Sequence, residues 1–174
     1  MEAGFERMKV MDAMELELSL YDWSALPCRR CRSAEHVPGE LLRMARARTP
    51  EEAKPRGIEF HVLQDSWATK TAVPVARALM AGLADRSISP AARHQFLDLL
   101  SSFVVVDEDD IAEACKDVVR AGTWSLYEEV LSGRAMGTAL FAYWLLKEVE
   151  TTPDRVERLL QVARSKLPED LCDD

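Results

Sequence analysis

Glycine is scarce, with seven residues in 174, and this argues against tightly turned β architectures. Long apolar runs are missing too. The longest, Ala139 to Leu146, falls far short of the roughly 20 residues that span a bilayer, so no membrane helix is expected. Residues 1–20 carry charges throughout and lack the basic-then-apolar design of an export signal. A cytoplasmic protein is therefore expected, with its four cysteines in a reducing compartment where structural disulfides are uncommon. Motifs of catalysis are lacking as well: there is no G-x-S-x-G elbow, phosphate-binding loop, dinucleotide glycine fingerprint or H-E-x-x-H. The expectation is a protein that is not an enzyme.

Positive charge is in deficit. Thirty acidic residues against 22 basic ones give a net charge of −8. Such a surface repels phosphate backbones unless a basic stripe is segregated on one face, which sets nucleic acid aside as the default partner. A basic protein partner fits better, although negative charge also simply keeps a domain soluble.

What the chain does have is helix grammar. Ala, Leu, Arg and Glu dominate and all favour helices. Thr49-Pro50, Ser89-Pro90 and Thr152-Pro153 each set a hydroxyl N-cap before a proline at the first helical position. Glu52 completes a capping box with Thr49. Gly122 and Gly133 mark helix ends, where a left-handed conformation is expected. Ala76, Leu79, Met80 and Leu83 recur at helical spacing, as do Phe96, Leu99, Leu100 and Phe103, and Val156, Leu159, Leu160 and Ala163. The spacing predicts helices over 4–19, 37–47, 51–64, 72–84, 90–104, 109–121, 124–131, 134–149 and 153–167, with a short turn at 22–26. Pro55 is expected to kink or shorten the 51–64 helix. Met136 to Val149 is apolar nearly all round and reads as an inner helix packed on every side. The 153–167 segment has one wet face and reads as a terminal cap. The whole of 1–174 reads as one all-α domain, with 1–20 carrying an N-terminal helix and 168–174 a flexible acidic tail.

The caps at Thr49 and Ser89 lie 40 residues apart, near the period of HEAT or armadillo units, though the next interval breaks it. Several segments strengthen that reading. Tyr21-Asp22-Trp23-Ser24-Ala25-Leu26 and Ser33-Ala34-Glu35-His36-Val37-Pro38-Gly39-Glu40-Leu41-Leu42 resemble the opening of bacterial HEAT-like repeat proteins. Ala68 to Ala76, Cys115 to Gly122 and the alanine-rich Arg134 to Leu146 resemble their later repeats. The stretch Val62-Leu63-Gln64-Asp65-Ser66-Trp67 departs from the family's frequent His-Gln-Gly. The resemblance implies antiparallel helix pairs stacked as a short right-handed α-solenoid. Its concave face would bind a protein or nucleic acid.

Candidate chemistry is sparse. Cys28-Arg29-Arg30-Cys31 has the spacing of a shared metal site or a cycling disulfide, and His36 is near enough to be a third ligand. A closed zinc site needs four ligands, and no second pair of cysteines or histidines supplies the fourth. Cys115 and Cys172 are isolated, and His61, between Phe60 and Val62, reads as a hydrogen-bonded, partly buried ring. Neither a metal nor another cofactor is expected, and the two cysteines read as filling a loop. The run Asp107, Glu108, Asp109 and Asp110 precedes a helix, where carboxylates cap amides and match the dipole, but four in a row also suit a docking surface. Asp65 and Trp67 lie near a loop, where an aromatic can anchor a partner or staple two helices. These six residues are the candidate partner-binding set. The leading expectation is a non-catalytic protein-binding scaffold, such as an immunity or inhibitor protein covering a basic partner. The alternatives are a nucleic-acid-processing helical-repeat enzyme and a zinc or redox regulator built on Cys28 and Cys31.

Overall fold

The computed structural model describes residues 13–168. The first part of the expected 4–19 helix and nearly all of the expected acidic tail, with Cys172, lie outside the described residues. The chain is mostly helical, with one two-stranded hairpin among the described residues. In chain order the elements are α1 (13–19), α2 (Val37–Arg46), α3 (Pro50–Ala53), β1 (Leu63–Gln64), β2 (Trp67–Ala68), α4 (Ala72–Leu83), α5 (Pro90–Phe103), α6 (Asp109–Ala121), α7 (Thr123–Ser132), α8 (Met136–Val149) and α9 (Pro153–Ala163). A 3₁₀ turn, Arg164–Lys166, follows. No helix among them is long and apolar enough to cross a membrane.

The capping signals explain most boundaries. Thr49 and Glu52 form the reciprocal capping box, and the Ser89 hydroxyl accepts from the Ala92 amide while donating to the Ala47 carbonyl at 2.6 Å. Gly133 ends α7 at φ 60°, the left-handed conformation that only glycine adopts freely. Two signals act differently from expectation. Gly122 sits at φ −116° between α6 and α7, and it is small because a Cβ there would run into Met80 Cε. Thr152 makes no side-chain cap, and its amide instead donates to the Glu150 carboxylate at 3.0 Å.

The largest correction concerns 51–64. Helix α3 stops at Ala53, because Pro55 lacks the amide a helix needs and holds the preceding residue extended. Residues 54–62 instead form turns leading into the hairpin, in which Leu63 pairs with Ala68 and Gln64 with Trp67. Asp65 takes the positive φ, 53°, that the two-residue turn needs.

Helix α5 is the hub of the core, touching α2, α3, α4, α6 and α8. Its Phe96, Leu97, Leu100 and Phe103 are fully buried, each contributing roughly 1.5–3 kcal/mol by leaving water. Helix α8 packs on α5, α6 and α7, but not on every side, since Trp144 is 40% exposed beneath the Lys147 ammonium. Helix α9 behaves as expected, with Leu159 and Ala163 buried and Glu157, Arg158 and Gln161 in solvent.

An ion pair inside this core has no sequence signature. Arg93 and Glu129 lie 2.6 Å apart and are almost entirely buried. Arg93 also donates to the carbonyls of Asp85 and Leu83, tying the end of α4 to α5 and α7. Burial pushes the Glu129 carboxyl up, but Arg93 and Arg134 outweigh it and hold the group below its ordinary value. Its stabilisation is therefore present above the unfolded carboxyl pKa and is lost as pH falls through the lower folded value. Glu129→Ala should cost about 3–5 kcal/mol in denaturant unfolding, because it leaves a buried guanidinium without its counter-charge. The double variant Arg93→Met with Glu129→Leu should cost less than either single change, which equilibrium unfolding of all three checks.

Candidate metal centre

The segment between α1 and α2 has no regular structure of its own and is held by side chains and by the turns of 54–62. Its backbone is pinned where the Arg29 amide donates to the His61 carbonyl at 2.9 Å and the Ala34 amide to Leu26 at 3.1 Å. The Thr71 hydroxyl donates to Pro27 at 2.7 Å. From the other side, Ile58 and Val62 are fully buried and anchor the turn that carries His61. Glu40 on α2 accepts from the Gly57 amide at 3.1 Å, and Arg43 donates to Glu40 and to the carbonyls of Glu52 and Lys54. Those hydrogen bonds hold the Arg43 guanidinium beside Glu40, which keeps that carboxyl below its ordinary value.

Four side chains converge between these two strips of chain. One ligating atom from each of Cys28, Cys31, His36 and His61 lies within 4.8 Å of all the others. His61 Nδ1 is 3.3 Å from both the Cys28 and Cys31 sulfurs. The Cys31 amide donates to Cys28 Sγ at 3.2 Å, the tight turn that C-x-x-C spacing permits. The two imidazoles meet edge to face with centroids 4.6 Å apart. A tetrahedral zinc with bonds of about 2.3 Å to sulfur and 2.0–2.1 Å to nitrogen has ligand-to-ligand edges of roughly 3.3–3.8 Å, so the two separations from His61 Nδ1 need almost no adjustment, while the widest pair in the cluster would draw in from as much as 4.8 Å.

The surroundings suit a metal. His36 Nε2 donates to the Gly57 carbonyl at 3.0 Å, which fixes the tautomer and leaves Nδ1 free to ligate, the outer-shell arrangement usual for metal-bound histidine. Burial first, and then His36 and Arg30, hold the His61 ring below its ordinary pKa, so the neutral form is favoured. Desolvation and the adjacent Cys28 sulfur raise the Cys31 thiol: two thiolates crowd one another unless a cation lies between them.

Three of the four clustered residues, Cys28, Cys31 and His36, are close in sequence. His61 lies 30 positions beyond Cys31, within the stretch whose spacing predicts a helix, and the turns after Pro55 bring it back. The expectation of no metal and of cysteines filling a loop rested on local spacing, and the structure adds the clustering of Cys28, Cys31, His36 and His61. The pattern Cys-x2-Cys-x4-His-x24-His carries no familiar spacing, so the signal available was Pro55 and Gly57 breaking the helix just before a histidine.

Of the six residues expected at a partner surface, four come together. The Ser66 hydroxyl donates to Asp107 at 2.5 Å and the Asp107 amide to the Ser66 carbonyl at 2.8 Å. The Ala68 amide donates to Glu108 at 2.9 Å. The hairpin tip with Asp65 and Trp67 is thus clamped onto the start of α6. Glu108 makes no side-chain cap of α6, so clamping accounts for two of the four charges. Asp109 and Asp110 stand exposed in the first turn of α6, placed to match the dipole. Trp67 is 54% exposed and does not staple two helices, whereas Trp23 is buried and donates to the Leu18 carbonyl at 2.7 Å. The remaining histidine, His94, is half-buried edge-on to Phe141, and Cys115 is buried alone, its thiol pushed up to about 12.

No protein-family model, curated protein or solved structure matches this chain.

Cobalt should substitute for zinc here. Titrating the reduced protein with Co²⁺ is expected to give a tetrahedral visible spectrum with thiolate charge-transfer bands, saturating near one ion per chain. Cys28→Ser should remove the charge-transfer intensity in part. His61→Ala should weaken binding by more than the about 10–100-fold that loss of an outer-shell partner costs.

Proposed function

We propose that this chain is a non-catalytic binding protein whose N-terminal third is locked by one Zn²⁺ held by Cys28, Cys31, His36 and His61. The observation that carries the reading is the meeting of four donors within 4.8 Å from parts of the chain that no shared helix or sheet brings together. Two sulfurs with two imidazoles in this arrangement select zinc among common divalent ions. Four protein donors fill a tetrahedron, and structural zinc sites are closed in this way, whereas catalytic ones keep a position open for water or substrate. A disulfide between Cys28 and Cys31 would leave the two histidines without a role. The metal reading uses all four.

The scaffold around the site is inferred to be a short right-handed stack of HEAT-like helix pairs. Support comes from part of the helix neighbours: α4 packs on α5 and α6, α6 on α8, and α7 on α8 and α9, as layered hairpins do, while the packing of α5 on α8 departs from that order.

Purification under reducing conditions followed by elemental analysis tests the zinc reading. One zinc per chain is expected. At a metal concentration a thousand times the dissociation constant, binding stabilises by about 4 kcal/mol, so a chelator should lower the Tm by on the order of 10 °C for a chain of this size. A metal-free protein whose melting ignores added zinc rules it out.

A second reading keeps a basic protein partner at the hairpin. Its support is the exposed Trp67 on a hairpin clamped to the start of α6, in whose first turn Asp109 and Asp110 stand exposed. A lysine-rich peptide at low salt should change tryptophan emission by an amount that disappears in Trp67→Phe and shrinks in the double variant Asp109→Asn with Asp110→Asn. Identical responses from all three proteins would remove this reading.

A further inference from the structure

We infer that the face around the metal centre binds single-stranded nucleic acid, stacking a base on the Arg30–Phe60 pair and holding phosphates with Arg29 and Arg32. The inference rests on the zinc reading for the rigidity of that face.

Charge is segregated along the chain in a way the total conceals. Residues 28–61, from the first donor to the last, hold eight basic and five acidic side chains, a net +3. The remaining residues hold 14 basic and 25 acidic ones, a net −11. The condition under which an acidic protein can still meet a phosphate backbone is thereby satisfied at one place. Most arginines elsewhere are neutralised locally, as Arg93, Arg120, Arg134 and Arg155 show. Arg29, Arg30 and Arg32 are all exposed, and among the described residues none of them pairs with a carboxylate. Arg56, next to the Gly57 that bonds His36, extends the basic margin, although Glu51 shares its charge at 3.4 Å.

Phe60 supplies the second, independent observation. Its backbone is left-handed, φ 64°, which is costly for a bulky side chain and persists only where the surroundings impose it. The turn aims His61 at the sulfurs and leaves Phe60 47% exposed, with the Arg30 guanidinium 4.8 Å over its ring. A flat cation on an exposed aromatic, flanked by free arginines, is a platform for an unstacked base. An acidic peptide would use the charges but not the ring.

The test is fluorescence anisotropy of the zinc-loaded chain with fluorescein-labelled ten-residue oligo(U) and oligo(dT). Binding is expected to weaken with salt, with a slope near −1.4 for two phosphate contacts at about 0.7 each. Phe60→Ala should weaken it about tenfold or more, the cost of losing one stacked base. Arg29→Gln should lower the salt slope by about 0.7 while changing affinity for all sequences alike. Duplex DNA and heparin should compete poorly. Zinc-loaded protein that binds neither oligonucleotide at low salt overturns the inference and leaves the metal centre standing. Equal competition by heparin with Phe60→Ala unaffected overturns it in favour of a plain polyanion surface. Elemental analysis of the same sample reports separately on the metal.

Discussion

Residues 54–62 lie outside helix and sheet and are held in part by turn hydrogen bonds of their own, the Ile58 amide to the Pro55 carbonyl and the Val62 amide to the Ile58 carbonyl, while the side chains of Ile58 and Val62 are buried in the core. Such a strip stands only where its polar groups find partners. Glu40 and Arg43 on α2 supply part of that from one side, and His61 is drawn towards Cys28 and Cys31 on the other. The convergence of Cys28, Cys31, His36 and His61 joins the strip before α2 to the strip after α3, and the Thr71 hydroxyl bonded to the Pro27 carbonyl joins it to the start of α4. The hairpin, the position of Trp67 and the outward turn of Phe60 all follow from where that strip is held.

The two halves of the molecule solve stability differently. From α4 onward, amphipathic helices bury large side chains around α5, and a single buried ion pair joins three of them through Arg93. Ahead of α4 the helices are short and the connections long, with fewer apolar residues per turn. Small irregular regions of this type gain most from a cross-link, because a metal bound only by the folded chain adds its binding free energy directly to folding.

That division also touches the charges. From α4 onward the chain carries most of the acidic excess and pairs most of its arginines. Ahead of α4, Arg29, Arg30 and Arg32 pair with no carboxylate among the described residues, and Arg30 lies over the exposed Phe60 ring. Net charge alone therefore misdescribes the surface: within a total of −8, residues 28–61 carry a net +3 and the rest of the chain a net −11, and each can favour a different partner.

The sequence by itself determined the helical class and most helix limits from Ala72 to Ala163, because caps, prolines and apolar spacing are local properties read within a few residues. It also displayed three candidate ligands, Cys28, Cys31 and His36, within a nine-residue span. Tertiary structure decided the rest. The fourth donor, the clamp between Ser66 and Asp107, and the Arg93–Glu129 pair each join residues 25 to 41 positions apart, and no periodicity encodes contacts of that range. Pro55, expected to kink or shorten the 51–64 helix, limits it to Pro50–Ala53, and the chain beyond that break carries His61 to the cysteines.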